Sequence, residues 1–276
     1  MQSFENIKLV ALDMDDTVLT HDKKVSKLTC KVLKTLSEKG IYIVVATGRP
    51  PQGIFDYVKD LSLITDKGYV VCFNGSGIAH LPDLKMVYSE YLTGTKVKEI
   101  ASFCHQYGCS VHGYSKDKGL LLEDENSPSY REVTHCKVGY IKQDLTTIDD
   151  DMLFYKMLAV GDKDNLDTLR QKLLSNMSLN GFTIMRSDPN FLEFIPKTCT
   201  KGSALVELCK ILHISIDNVI AFGDAENDKV MLERAGIGVA MGNAYECVKS
   251  IADIIADTND NDGVAKVLQR VFNLKL

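Results

Sequence analysis

The sequence predicts an α/β protein: a doubly wound parallel-sheet (Rossmannoid) core interrupted by an inserted α+β domain. Two observations carry this. Near both ends of the chain, short apolar runs alternate with amphipathic helical stretches, and runs apolar throughout imply strands buried on both faces of a helix-covered parallel sheet. In the middle, strand-like runs stand next to one another and helices come in groups, the pattern of an antiparallel α+β unit. The core is expected over residues 1–83 and 189–276, and the insert over 84–188.

The elements follow in order. "IKLVAL" is strand-like, and "SKLTCKVLKTLSEKG" carries Leu28, Val32 and Leu36 at helical spacing, with Ser26 as N-cap and Gly40 as stop. "IYIVVA" and "YVVCF" are the next strands, closed by Thr47-Gly48 and Asn74-Gly75. The insert reads as a helix "GTKVKEIASFCHQYG", strands "CSVHGYS", "GLLLEDE" and "LFYKMLAV", a helix "NLDTLRQKLLSNM", and strands "GFTIMR" and "NFLEFIP". The core rhythm then returns as helix "KGSALVELCKIL", strand "NVIAF", helix "AENDKVMLERAG", strand "IGVAM" and closing helix "NDGVAKVLQRVFNL".

Bulk properties narrow the function. A net charge of -5 over 276 residues, with no dense Lys/Arg block, argues against a nucleic-acid binder. The eight cysteines form no CxxC pair, and several lie in apolar runs, which suits reduced thiols in a cytoplasmic protein. The opening "MQSFENIK" lacks a signal-peptide layout, and no apolar run approaches the roughly 20 residues of a membrane span. A soluble chain is expected, as a monomer or weak homodimer without nucleic-acid or membrane partners.

The chemistry gathers where the strands end. In open parallel sheets, ligands bind outside the carboxyl ends of the strands. Here those ends carry Asp13-Met14-Asp15, Thr47-Gly48-Arg49, Asn74-Gly75 and Gly223-Asp224. Four acidic side chains, Asp13, Asp15, Asp224 and Asp228, are candidates to converge there. Asp13 and Asp15 share a face in extended geometry, while Asp16 points the other way. A cluster of oxygen donors with this charge suits Mg²⁺. Thr47, Lys201 and the backbone amides after Asp13 (at Met14) and at Gly48 are candidates to hold phosphate oxygens. A carboxylate so placed can attack phosphorus, with Asp15 moving the proton.

At this point the residues resemble a known family. "DMDDT", "TGR", "KGSAL" and "GDAEND" are similar, in order, to the four motifs of the haloacid dehalogenase-like hydrolases. More narrowly, the chain resembles the Cof-type phosphatases, which carry a large type-2 cap between the second and third motifs. The resemblance implies a Mg²⁺-dependent phosphatase acting on small phosphorylated metabolites, usually sugar phosphates, through a phosphoaspartate. It implies Asp13 as nucleophile and Asp15 as acid/base, the latter also binding metal through its carbonyl. Thr47, Gly48 and Asn227 match phosphate contacts, Lys201 the charge-neutralising third motif, and Asp224 the main acidic metal ligand. Asp228 is a further ligand or supports one, and Arg49 and Asn74 match positions near the substrate. Asp16 stands where many relatives have Gly.

Other readings are weaker. A phosphomutase of the phosphomannomutase type shares a similar cap and motifs, and is the alternative within enzymes. A signalling receiver domain would lack both the insert and the Asp15 acid/base, and a catalytically dead binder would not retain every reactive residue. "NGSG" lacks the GxGxxG pattern and reads as a turn, and Cys104, His105, Cys109 and His112 fit no zinc spacing. His21, just after the first motif, is a candidate substrate contact.

Overall fold

The computed structural model describes residues 6–61, 63, 65–175 and 180–275. It divides into two compact units, Met1–Tyr88 with Thr200–Leu276, and Ser89–Cys199. The chain begins in the first unit with β1 (Leu9–Asp13), α1 (Lys27–Glu38), β2 (Tyr42–Ala46), α2 (Phe55–Asp60), β3 (Gly68–Cys72), β4 (Gly77–His80) and β5 (Lys85–Ser89). The second unit comprises β6 (Leu92–Thr93), α3 (Gly94–His105), β7 (Ser110–Ser115), β8 (Gly119–Leu122), α4 (Ser127–Cys136), β9 (Tyr140–Lys142), β10 (Leu153–Val160), α5 (Lys163–Ser175), β11 (Phe182–Asp188) and β12 (Phe191–Pro196). The chain then completes the first unit with α6 (Lys201–Ile211), β13 (Val219–Gly223), α7 (Lys229–Arg234), β14 (Ile237–Ala240), α8 (Glu246–Lys249), β15 (Ile254–Ile255) and α9 (Gly263–Val271).

The sheet of the first unit runs β15-β14-β13-β1-β2-β3-β4-β5 among the described residues. From β15 to β3 every neighbouring pair is parallel, while β4 turns back antiparallel on β3. The expected parallel core is therefore present but gains β4 and β5 at one edge. These two were hidden because "GIAH" and "KMVYS" are short and carry no sustained apolar run. Register matters more than count. Leu9 pairs with both Tyr42 and Val219, so the carboxyl ends of β1, β2 and β13 finish side by side.

The helices form for local reasons. Ser26 Oγ accepts from the Thr29 amide at 3.0 Å, and α1 buries Val32, Leu33 and Leu36. Past its end, Gly40 takes φ +88°, a conformation that costs glycine little. The helix expected over residues 225–236 is instead a 3-10 turn, Glu226–Asp228, followed by α7. Asp228 causes the break, because its Oδ2 accepts from the amides of Asp224 (3.0 Å) and Ala225 (3.1 Å). The helix expected over 165–177 is α5, and its last two expected residues lie outside those described.

The second unit has a sheet ordered β11-β12-β10-β7-β8-β9, with β6 added to β10. One apolar cluster joins Val97, Ile100 and Cys104 of α3 and Leu166 and Leu169 of α5 to Met157 and Phe194 of the sheet. Helix α4 was not expected, because its buried face is polar: Ser129, Glu132 and Cys136. Tyr114 donates to Glu132 at 2.7 Å from β7. The expected insert limits also differ from the observed division. A cut at residue 188 would sever the β11–β12 hairpin, whose strands pair along their length. An insert beginning at 84 would take in all of β5, whereas the units part only after Tyr88. No helix among the described residues is long and apolar enough to cross a membrane.

Candidate active site

Asp13 is the last residue of β1 and is 6% exposed. After it the chain leaves the sheet in a tight loop, Met14–Val18, in which Asp16 adopts φ +60°. From across the fold, α6 delivers Lys201 at its first position. Lys201 Nζ lies 2.5 Å from Asp13 Oδ1 and 2.7 Å from Asp228 Oδ1. The loop after β13 supplies Asp224, whose Oδ1 accepts from Thr17 Oγ1 at 2.9 Å. Asp13, Asp224 and Asp228 each offer an oxygen within 4.8 Å of the other two.

The electrostatics of this cluster are unbalanced. Burial, reinforced by the Asp228 charge, pushes the Asp13 carboxyl well above the usual range against the pull of Lys201. Burial and Asp228 likewise push Asp224 up to about 6. Burial opposes the charge on Lys201, but Asp13 and Asp228 outweigh it and hold the ammonium charged. Three carboxylates against one ammonium leave two negative charges in excess. A hard divalent cation with oxygen ligands fits that donor set, and Mg²⁺ is the ion whose chemistry it suits.

Asp15 does not join the cluster, although four carboxylates were expected to converge. Its side chain is taken by Arg49, with Nη2 at 2.7 Å from Oδ1 and 2.9 Å from Oδ2, and Nε at 3.2 Å from Oδ2. The reason is burial: Arg49 is only 5% exposed and a guanidinium at that depth requires a carboxylate. Lys23 Nζ adds a longer contact to Asp15 Oδ1, 3.4 Å, and another to Asp16 Oδ1. Asp16 itself is turned outward with its side chain half exposed.

The remaining candidates form the rim. Thr47 Oγ1 accepts from the Arg49 amide at 3.2 Å. Asn227 Nδ2 donates to Asn74 Oδ1 at 3.2 Å, joining two motifs distant in sequence. Asn74 sits at φ +54° between Phe73 and Gly75, both also positive, which turns its side chain back over Gly48. A Cβ on Gly48 would lie 2.9 Å from Asn74 Nδ2, so a side chain there would displace the Asn74 amide. The Met14 side chain is buried and lines an apolar pocket with Val18, Leu19, Val45 and Tyr57, leaving its backbone as the part able to serve a ligand. His21 donates its amide to Asp260 Oδ1 at 2.9 Å.

Four contributors were not singled out from sequence. Thr17 stood in "DMDDT", four residues after Asp13, and that spacing was a usable signal. Lys23, Tyr57 and Asn243 gave none: their contacts to Asp15, to Arg49 and to the Asp16 carbonyl (2.8 Å for Asn243 Nδ2) arise only on folding. The rejected zinc candidates are dispersed among other partners. His105 meets Glu123 at 2.7 Å, His112 meets Ser129 at 2.8 Å, and Cys104 is buried in the apolar cluster.

Comparison with known proteins finds relatives along most of the chain. A family model for haloacid dehalogenase-like hydrolases matches residues 10–268. The 5-amino-6-(5-phospho-D-ribitylamino)uracil phosphatase YitU of Bacillus subtilis is 30% identical over 275 residues, covering 96% of this chain and 98% of its own. The HMP-PP phosphatase of Yersinia pseudotuberculosis is 32% identical over 245 residues, covering 88% of this chain and 86% of its own. Among solved structures, a haloacid dehalogenase-like hydrolase from Bacteroides thetaiotaomicron superposes with a TM-score of 0.85 at 32% identity, over 96% of this chain and all of that one (100%).

Proposed function

The chain belongs to the haloacid dehalogenase-like hydrolases, and on that premise we propose a Mg²⁺-dependent phosphatase acting on small phosphorylated metabolites, sugar phosphates foremost, through a phosphoaspartate on Asp13. The observation that carries the reading is the meeting of Asp13, Asp224 and Asp228 around Lys201 at the carboxyl edge of a parallel sheet. The two relatives support the substrate class, since each is named for a small phosphorylated compound.

Asp13 is the attacking group. Its Oδ1 is held by Lys201, which leaves the other carboxylate oxygen to form the bond to phosphorus. Magnesium, bound by Asp13, Asp224 and Asp228 with the Asp15 carbonyl, would neutralise the carboxylates and the phosphoryl oxygens facing them. Thr17 fixes the rotamer of Asp224, and Asp228 is braced by two amides. Thr47, Asn227, Lys201 and the amides of Met14 and Gly48 hold the phosphoryl oxygens. Asp15 gives a proton to the leaving oxygen and takes one from the water that cleaves the phosphoaspartate. Arg49 donates to both of its oxygens, which aims the carboxyl group.

The test is phosphate release from a panel of phosphorylated metabolites, with and without Mg²⁺, on the wild type and on Asp13→Asn. Turnover should require Mg²⁺ and fall by about a thousandfold or more in the variant, since no covalent intermediate can form. Retained turnover in Asp13→Asn would exclude the covalent route. An isomerised sugar phosphate as main product would replace hydrolysis with phosphomutase chemistry.

A further inference from the structure

Arg49 is buried, and its grip on Asp15 has a second side. The guanidinium carbon stands 5.5 Å from the centroid of the Tyr57 ring. A guanidinium facing an aromatic ring loses freedom to rotate, so the ring sets the plane in which the fork meets its carboxylate.

Tyr57 is well placed to hold a plane. Its ring lines an apolar pocket together with Met14 and Val18, which belong to the loop that carries Asp15, and with Val45 near the end of β2. The backbone from Arg49 to Tyr57 is short and stiff: Pro50 and Pro51 lead into a 3-10 turn, Pro51–Ile54, and then into α2. Consecutive prolines restrict the torsions that could swing α2 away from Arg49. The same side chain therefore lines the pocket under the reactive loop and faces the cation that holds its carboxylate.

We infer that Tyr57 is a positioning residue for Asp15, acting through Arg49. The inference rests on the phosphatase reading above, in which Asp15 handles the proton of the leaving oxygen. The ring fixes the guanidinium, the guanidinium fixes the carboxyl group, and the carboxyl group must meet the ester oxygen. Without the ring, Arg49 tilts and Asp15 follows. Chemistry that needs no proton donor should be nearly indifferent to that shift.

The experiment compares two esters on the Mg²⁺-loaded enzyme. A hexose phosphate leaves as an alkoxide and needs the proton, whereas nitrophenyl phosphate leaves as a stable phenolate and does not. In Tyr57→Leu, kcat/KM should fall about tenfold for the hexose phosphate but less than about threefold for nitrophenyl phosphate, because a misplaced acid is felt where the leaving group is poor. Tyr57→Phe keeps the ring and should recover most of the loss. Equal falls on both esters, or no fall on the hexose phosphate, would overturn the positioning role and leave the phosphatase standing. A wild type that releases phosphate from neither ester would overturn the phosphatase reading, and this inference with it.

Discussion

Lys201 shows how one residue is made to serve a reaction. A buried ammonium alone would lose its proton, yet it is held charged by two carboxylates at 2.5 and 2.7 Å. The same contacts set the Asp13 rotamer, so neutralisation and aim come from a single side chain. His112 in the second unit shows the opposite case, a buried base kept neutral. It is fully buried, its Nε2 meets Ser129 at 2.8 Å, and its Nδ1 has no partner among the described residues. Burial pushes it down from 6.5 to about 4, although Glu132 and Asp124 pull the other way. Because the folded value is the lower one, the unfolded chain takes up the proton first as pH falls. Stability is then complete above about pH 6.5 and is lost towards pH 4, by roughly 3 kcal/mol in all. Urea unfolding near pH 7 and near pH 4.5 should show a shallower loss in His112→Leu than in the wild type, by about that amount. Equal losses would mean that His112 titrates alike in both states.

At the scale of elements, the site depends on where α6 begins. Thr200 and Ser203 form a reciprocal cap there, with Thr200 Oγ1 accepting from the Ser203 amide at 2.9 Å and Ser203 Oγ from the Thr200 amide at 2.8 Å. Two glycines let other backbones come close to this end. A Cβ on Gly75 would fall 2.2 Å from the Thr200 carbonyl oxygen, and one on Gly202 would fall 2.5 Å from the backbone of Val230 on α7. The first contact ties Lys201 to the turn that carries Asn74, and the second ties it to the helix that follows Asp228. Gly202→Ala should therefore push α6 from α7, lowering stability by about 1–3 kcal/mol and lowering turnover further than the stability loss alone explains. Thermal unfolding and initial rates on the same preparation separate the two effects. A variant with native activity would show that Lys201 tolerates movement of its helix.

At the scale of the whole molecule, the edge of the first unit's sheet is a prepared anionic site. The strands β1, β2 and β13 end together because their registers align, and Asp13 is repelled at rest by Asp224 and Asp228 in the chain that follows β13. Folding leaves that repulsion in place, so a cation that relieves it must stabilise the fold. With Mg²⁺ at about a hundredfold excess over its Kd, the first unit should gain roughly 2.7 kcal/mol, visible as a higher unfolding temperature. A chelator should reverse the gain, and Asp224→Asn should largely abolish it. An unfolding temperature indifferent to Mg²⁺ would contradict the fit of the site to the ion, whatever the catalytic outcome.

The sequence by itself determined the fold class and named most of the side chains that meet at the sheet edge. Strands buried on both faces must be apolar throughout, so "IKLVAL", "IYIVVA", "YVVCF" and "NVIAF" announced the parallel core, and the polar residues that closed them marked its working edge. Periodicity reports burial, and burial is what a one-dimensional pattern can encode. It failed where burial was polar, at α4 with Ser129, Glu132 and Cys136, and where a side chain broke a helix, at Asp228. Only the tertiary structure decided which groups became partners. That Asp15 would be taken by Arg49, that Tyr57 would stand over Arg49, and that Thr17 would hold Asp224 from 207 positions away are outcomes of distance and desolvation. Those quantities exist only once the chain has closed, because a charge chooses its partner by what else is within reach when water has gone.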